Sequence, residues 1–298
     1  MELGRAGRSF AALRLSPAIS GLAALPPFLG LALAAVAVAA LNPVGYIGGG
    51  TDDWQYLVAA ECWAESGACL PHDHWSARWP LIAPMAGALA LFGESRFTVG
   101  LVPFLFALAA LFLLCCILER LFGRTAAVIG GAALLTTPVF ALSLVRPNVD
   151  VVELAFLLGA LAAALAALDR RNPVFAAVAG GALALAVLTR ETSFVFAALF
   201  ALWFLRSPAS DRKILIWAAP GFALPLAAEI GTYWLAAGDP LRRLALAFNH
   251  TRIPSTELSP AVDVSRSPLF NPDFIAGWKR SNGIEIHWTV DPVLNLLT

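Results

Sequence analysis

Charge is what this sequence has least of. Only 13% of its 298 residues are Asp, Glu, Lys or Arg, its 20 acidic and 20 basic side chains cancel, and no dense basic run stands anywhere. A chain that grips nucleic acid needs concentrated positive charge, so that class of partner is excluded. Cysteine is almost as sparse. Cys115 and Cys116 are adjacent inside an apolar run, which leaves Cys62 and Cys69 as the pair able to bridge. No internal repeat of fixed period is visible either. In place of charge the chain carries 59% hydrophobic residues and a mean hydropathy of +0.75. That is more apolar surface than one water-soluble core of this length could bury. Apolar runs of roughly 15 to 23 residues recur along it, which predicts an all-α, polytopic transmembrane bundle.

Membrane-crossing helices are expected at about 20–42, 97–118, 125–145, 150–168, 173–190, 192–206 and 214–236, each bounded by charges or prolines. The run at 80–93 (PLIAPMAGALALFG) is short and carries two prolines near its start, so it is expected in or dipping into the interface. Charge supports that choice. With a cytoplasmic N-terminus, Arg5, Arg8, Arg14, Arg120, Arg124, Arg170, Arg171, Arg206, Arg212 and Lys213 fall on one side, and only Arg78, Arg96, Arg146 and Arg190 lie in short segments on the other. Counting 80–93 as a crossing would invert every later loop and break the positive-inside pattern. The division expected is a transmembrane domain over 1–236, with an outer loop at 43–96, followed by a polar outer tail over 237–298 that shows no clear 3.6 period. Residues 192–206 form the weakest crossing, because they are short. The N-terminal stretch has a second reading as a signal peptide, against which its apolar core is long.

Polar residues hard to explain as bilayer boundaries gather on the outer side. Asp52 and Asp53 follow the first apolar run, with His72, Asp73, His74 and Arg78 in the same loop. Arg146 and Asp150 mark one outer turn and Arg190 and Glu191 the next. Ionisable groups at membrane depth are costly and therefore usually functional. A bland alternative stands beside this: Thr51 can cap a helix whose first turn holds Asp52 and Asp53, where carboxylates meet the macrodipole favourably. Trp54, Leu57, Val58 and Ala64 would then make an apolar stripe on the membrane surface. Arg146 and Asp150 suit an ion pair as well as chemistry. The His72, Asp73, His74 group could ligate a metal, although a loop-stabilising cluster or an acceptor contact fits better, and no metal or cofactor is expected. Cys62 and Cys69 are two turns apart on a continuous helix, about 10 Å and beyond bridging range. Ser66 and Gly67 offer a helix end between them, so a disulfide is expected if that side is oxidising.

The order of these features resembles the polytopic GT-C glycosyltransferases, and within them the family 39 type that includes protein mannosyltransferases and bacterial relatives modifying lipopolysaccharide. The residues carrying the resemblance are the acidic pair with Tyr (Asp52, Asp53, Tyr56), the proline-led helix ending in Phe-Gly (Trp79, Pro80, Phe92, Gly93), the outer Arg146 and Asp150, and Leu-Thr-Arg-Glu at 188–191. The chain departs from the family pattern at Asp53, where Glu is common, at Arg78-Trp79-Pro80, and at Arg190, where Lys is common. Relatives also continue with further spans, so a C-terminally truncated chain is one expectation.

The resemblance implies transfer of a sugar from a polyprenyl-phosphate donor to an acceptor hydroxyl, on an envelope glycolipid or a protein, at the outer face of a bacterial inner membrane. Asp52 is the expected general base of an inverting reaction and Asp53 its helper. Arg190 and Arg78 are expected at the donor phosphate, and Tyr56, His72, His74, Arg146, Asp150 and Glu191 at substrate. Two other readings stay open. A catalytically silent fragment or accessory membrane protein would fit missing spans, and a solute transporter would give a role to Glu229, which sits in the last span without an obvious partner.

Overall fold

The computed structural model describes residues 25–41, 52–67 and 69–248. Thr51 and the expected tail beyond 248 therefore lie outside the described residues, as do the basic residues before 25. Among the described residues all regular structure is helical: α1 (Leu25–Leu41), α2 (Asp52–Ser66), α3 (Trp79–Phe92), α4 (Arg96–Phe122), α5 (Arg124–Leu135), α6 (Pro138–Ser143), α7 (Val149–Arg170), α8 (Pro173–Thr189), a 3-10 turn (Glu191–Ser193), α9 (Phe194–Arg206), α10 (Ala209–Leu215), α11 (Ala218–Ala237) and α12 (Arg242–Phe248). Three segments, Phe97–Phe122, Val149–Arg170 and Ala209–Ala237, are long and apolar enough to cross a membrane. The protein is an integral membrane helical bundle.

Local chemistry sets where these helices begin and end. Ser95 caps α4 by accepting from the Thr98 amide at 3.1 Å. Asn148 and Asn172 cap α7 and α8, accepting from the amides of Asp150 at 2.8 Å and Val174 at 2.9 Å. Gly238, at φ +68°, closes α11 in the left-handed conformation that side chains resist.

The expected crossing at 125–145 is not one helix. Pro138 has no amide proton and disfavours a helical residue before it, so Thr137 is extended and the chain restarts as α6. At 12 residues, α5 spans about 18 Å, short of a hydrocarbon core of about 30 Å. The segment expected at 192–206 is a 3-10 turn and the 13-residue α9, of which no residue is buried. Phe194, Val195, Phe196, Leu199, Leu202 and Leu205 are exposed along it, as suits a helix facing lipid.

α4, α7, α8 and α11 pack in that order as neighbours. α5 and α1 lie against α4 on one flank, and α2 with α3 covers it near one end. Small residues let the central helices close up: Ala160, Ala164, Ala167, Ala176, Ala179 and Ala186 are buried. The closest approach is between α8 and α11. A Cβ on Gly180 would sit 1.9 Å from the Ala218 carbonyl oxygen, and one on Gly221 would sit 2.0 Å from that of Ala177. Backbone cannot yield as a side chain can, so Gly180→Val should part these helices and cost at least about 1–3 kcal/mol. The expected readout is a lowered thermal midpoint in detergent, and an unchanged midpoint would disprove the contact.

α3, the helix expected in the interface, also packs into the core. It is about 21 Å long, and Leu81, Ile82, Met85 and Leu89 are buried in the main core with Tyr56 and Leu57 of α2. The surface stripe expected on α2 is accordingly split. Leu57 turns into the core at 4% exposure while Trp54 and Val58 stay exposed. Ion pairs mark the opposite end of the bundle, where Arg120 meets Asp169 at 2.6 Å and Arg171 meets Asp211 at 2.7 Å.

Candidate active site

Four chain segments meet at one end of the bundle: the first turn of α2, the loop between α2 and α3, the junction of α6 with α7, and the corner after α8. They enclose a polar cavity of about 280 Å³ lined by Asp52, Asp53, Tyr56, His74, Arg78, Asn148, Val149, Asp150 and Arg190. Residues separated by up to 138 positions in sequence are thus neighbours. The lining draws on each of the four charged clusters singled out in the sequence, around Asp52–Asp53, His72–Arg78, Arg146–Asp150 and Arg190–Glu191.

The two adjacent carboxylates take different roles. Helical rotation of about 100° per residue points them in different directions. Asp53 turns inward, 7% exposed, and Arg146 clamps it, donating from Nε to Oδ2 at 2.7 Å and from Nη2 to the same oxygen. Burial nevertheless holds Asp53 above the ordinary carboxylate range, against the opposing pull of Arg146 and with the charge of Asp52 adding to it. Asp52 stays exposed, and its Oδ1 accepts from the Trp75 indole at 2.8 Å. That bond fixes the carboxylate without neutralising it.

The cations divide similarly. Arg146 does not pair with Asp150, four residues on, as the sequence spacing suggests. α7 begins between them, with Asn148 at its cap, and Arg146 faces α2 instead. Asp150 pairs with Arg190 from the next corner, and Arg190 lies 3.8 Å from Glu153. Arg78 has no carboxylate within 4 Å among the described residues. Its Nη1 donates to the Tyr56 hydroxyl at 2.8 Å, and its guanidinium carbon stands 5.7 Å from the Tyr56 ring centre. Burial pushes the Tyr56 hydroxyl well above its ordinary pKa, which makes Tyr56 a neutral hydrogen-bonding group and not a base.

Not every expected residue arrives. His72 is exposed and sits 3.2 Å from Asp73 without lining the cavity. Asp73 is occupied in a turn, its Oδ1 accepting from the Ser76 amide at 2.6 Å and hydroxyl at 2.7 Å. His74 is buried at the cavity wall, its ring 3.7 Å from that of Trp75. Glu191 lies outside the lining and reaches Arg243 at 3.5 Å. Cys62 and Cys69 are joined in a disulfide across the helix end at Gly67, with Cα atoms 6.1 Å apart.

Other participants come from the structure. Trp75 is 23 residues from Asp52, and no local pattern announces that pairing. Asn148 carries a readable signal, an Asn directly before an apolar run. Glu153 accepts from Ser193 and backs Arg190. Glu229 has partners after all: Trp79 donates to it at 3.1 Å and Arg243 at 3.3 Å. Its place in the last span is explained by these partners.

The dolichyl-phosphate-mannose-protein mannosyltransferase family model matches residues 80–232, just over half of the chain. The match takes in Arg146, Asp150 and Arg190, while Asp52 and Asp53 precede it. No match was found among curated proteins or among solved structures. An all-helical membrane bundle, with carboxylates and arginines converging on a cavity at one end, accords with that family, and the chain belongs to it: a mannosyltransferase-like glycosyltransferase of the GT-C type.

Proposed function

We propose that the protein transfers a sugar from a polyprenyl-phosphate donor to an acceptor hydroxyl at the outer face of a bacterial inner membrane, with inversion at the anomeric carbon. The acceptor is an envelope glycolipid or a protein. The observation that carries this reading is the contrast inside the cavity: an exposed carboxylate held by an indole, beside an arginine that no carboxylate among the described residues pairs with.

The chemistry follows from that contrast. The acceptor oxygen attacks the anomeric carbon and gives its proton to Asp52 as the carbon–oxygen bond to phosphate breaks. The bonding pair leaves with the phosphate, whose single negative charge becomes two. Arg78 meets that growing charge with a planar fork suited to phosphate oxygens, and Arg190 supports it from the opposite corner. Asp53 and Arg146 neutralise one another and hold α2 against the junction of α6 with α7, while Tyr56, His74 and Asp150 contact substrate. The step needs no metal or organic cofactor.

Sidedness rests on two observations. The ion-paired end opposite the cavity carries Arg120, Arg124, Arg170, Arg171, Arg206, Arg212 and Lys213, as a cytoplasmic face should. The Cys62–Cys69 disulfide joins α2 to the loop that supplies His74 and Arg78 to the cavity, and it suits an oxidising compartment. Purified protein given mannosyl polyprenyl phosphate and envelope acceptors should transfer sugar, and should not do so from a nucleotide sugar. Arg78→Gln should weaken donor binding about 10–100-fold, the worth of one or two charge-assisted hydrogen bonds. Transfer from the nucleotide donor alone would refute the reading.

A further inference from the structure

Two consecutive arginines of α12 grip the back of the site. Arg242 Nε donates to the Pro71 carbonyl at 2.8 Å, at the start of the loop carrying His74 and Arg78. Arg243 is 9% exposed and reaches four groups on three other segments. Its Nη1 donates to the Ala77 carbonyl at 2.7 Å and to Glu229 Oε1 at 3.3 Å. Its Nη2 donates to the Leu188 carbonyl, and its Nε lies 3.5 Å from Glu191 Oε1.

The sequence neighbours of these groups give the arrangement its meaning. Ala77 directly precedes Arg78, and Leu188 and Glu191 flank Arg190. One guanidinium is therefore tied to the backbone beside both cations of the cavity. The Leu188 carbonyl is among the last four of α8, which have no partner within their own helix and must find one elsewhere. A burial this deep is tolerable for a charge only when it is paired and hydrogen-bonded, and Glu229 and Glu191 supply the countercharge. Arginine alone has the donors for the task. Its two terminal nitrogens donate to two carbonyls and to Glu229 while its charge faces Glu191, whereas a lysine offers one point charge without the planar fork.

We infer that Arg243 is a positioning residue that sets the spacing of Arg78 and Arg190 for a phosphate group between them. This rests on the reading of the cavity as the donor-phosphate site. Arg243 touches no cavity surface itself and acts through the two backbone segments it joins.

The test uses the full chain in detergent or nanodiscs, farnesyl phosphate as the probe, and the variants Arg243→Lys and Arg243→Gln, each alone and combined with Arg78→Gln. Amide hydrogen exchange should quicken in both variants at 71–78 and at 188–193, while α4 and α7 keep their protection. Affinity for farnesyl phosphate should fall at least about tenfold in Arg243→Lys, and the same change should cost clearly less once Arg78 is already Gln, as coupled residues require. Unaltered exchange at both segments would overturn the inference, as would equal losses of affinity with and without Arg78. Faster exchange throughout the bundle in Arg243→Gln would signal general unfolding, and Arg243→Lys, which keeps the buried charge, then decides the matter. Should the unsubstituted protein fail to bind farnesyl phosphate, the donor reading fails, and the exchange data judge separately whether Arg243 joins the two segments.

Discussion

Asp52→Asn is expected to slow sugar transfer by about 10²–10⁴-fold, the contribution of a positioned general base, with the fold and donor affinity essentially unchanged. The structure makes this substitution unusually clean. Asp52 is exposed; among the described residues it belongs to no ion pair, and its side chain accepts a hydrogen bond from the Trp75 indole at 2.8 Å. An Asn oxygen can accept that same bond, so the side chain keeps its place and loses only its capacity to take a proton. Initial rates with mannosyl polyprenyl phosphate, read beside thermal midpoints and farnesyl phosphate affinity, separate the two effects. A fall in kcat with KM steady marks an interaction made in the transition state. Transfer within a few-fold of the unsubstituted protein would remove Asp52 from the chemistry and leave its carboxylate as a helix-terminal charge stabilised by the macrodipole.

Adjacent residues with opposite fates show how far the sequence could be read. The pair at 52 and 53, the basic asymmetry of the loops and the bundle class are properties of local composition, and they are legible because membrane insertion punishes misplaced charge residue by residue. The helix end at Ser66 and Gly67, with its disulfide, is legible for the same reason, since it depends on neighbours along the chain. Partner choice is not local. Arg146 and Asp150 have the spacing of a helical ion pair, yet Pro147 and the Asn148 cap fall between them, and each finds its counterion on another segment. Which of two neighbouring carboxylates meets solvent depends on how α2 rotates against α3 and α7, a matter of packing that no window of sequence contains. The break at Thr137 has a local cause in Pro138, inside an apolar run whose length predicts a single crossing. Arg243 lies in a stretch without periodicity, and its meaning comes from carbonyls at helix and loop ends up to 166 positions away.

Packing also leaves Asp53 dependent on Arg146 for compensation of its buried charge. Arg146→Met is expected to cost about 3 kcal/mol at neutral pH, near the low end for breaking a buried pair because the Arg146 side chain is 22% exposed. What is lost is compensation for Asp53, whose side chain is 10% exposed and would be left charged in a poorly hydrated pocket. Burial already holds Asp53 above its ordinary value of 3.8 with Arg146 in place. The folded protein therefore keeps this proton to higher pH than the unfolded chain, and stability falls as pH rises from the unfolded value through the folded one. Without Arg146 the principal opposing pull disappears, the folded value climbs, and the falling window extends towards neutrality. The variant should thus lie close to the unsubstituted protein in acid and drop steadily below it as pH rises. Adding Asp53→Asn to Arg146→Met should remove that extra slope and recover part of the lost stability, because a neutral amide takes the place of an uncompensated charge. Thermal midpoints measured in detergent across the range from acid to neutral pH test both halves. An Arg146→Met deficit that is independent of pH, or a double variant worse than the single one, would show that the two residues stabilise the site through packing and not through their charges.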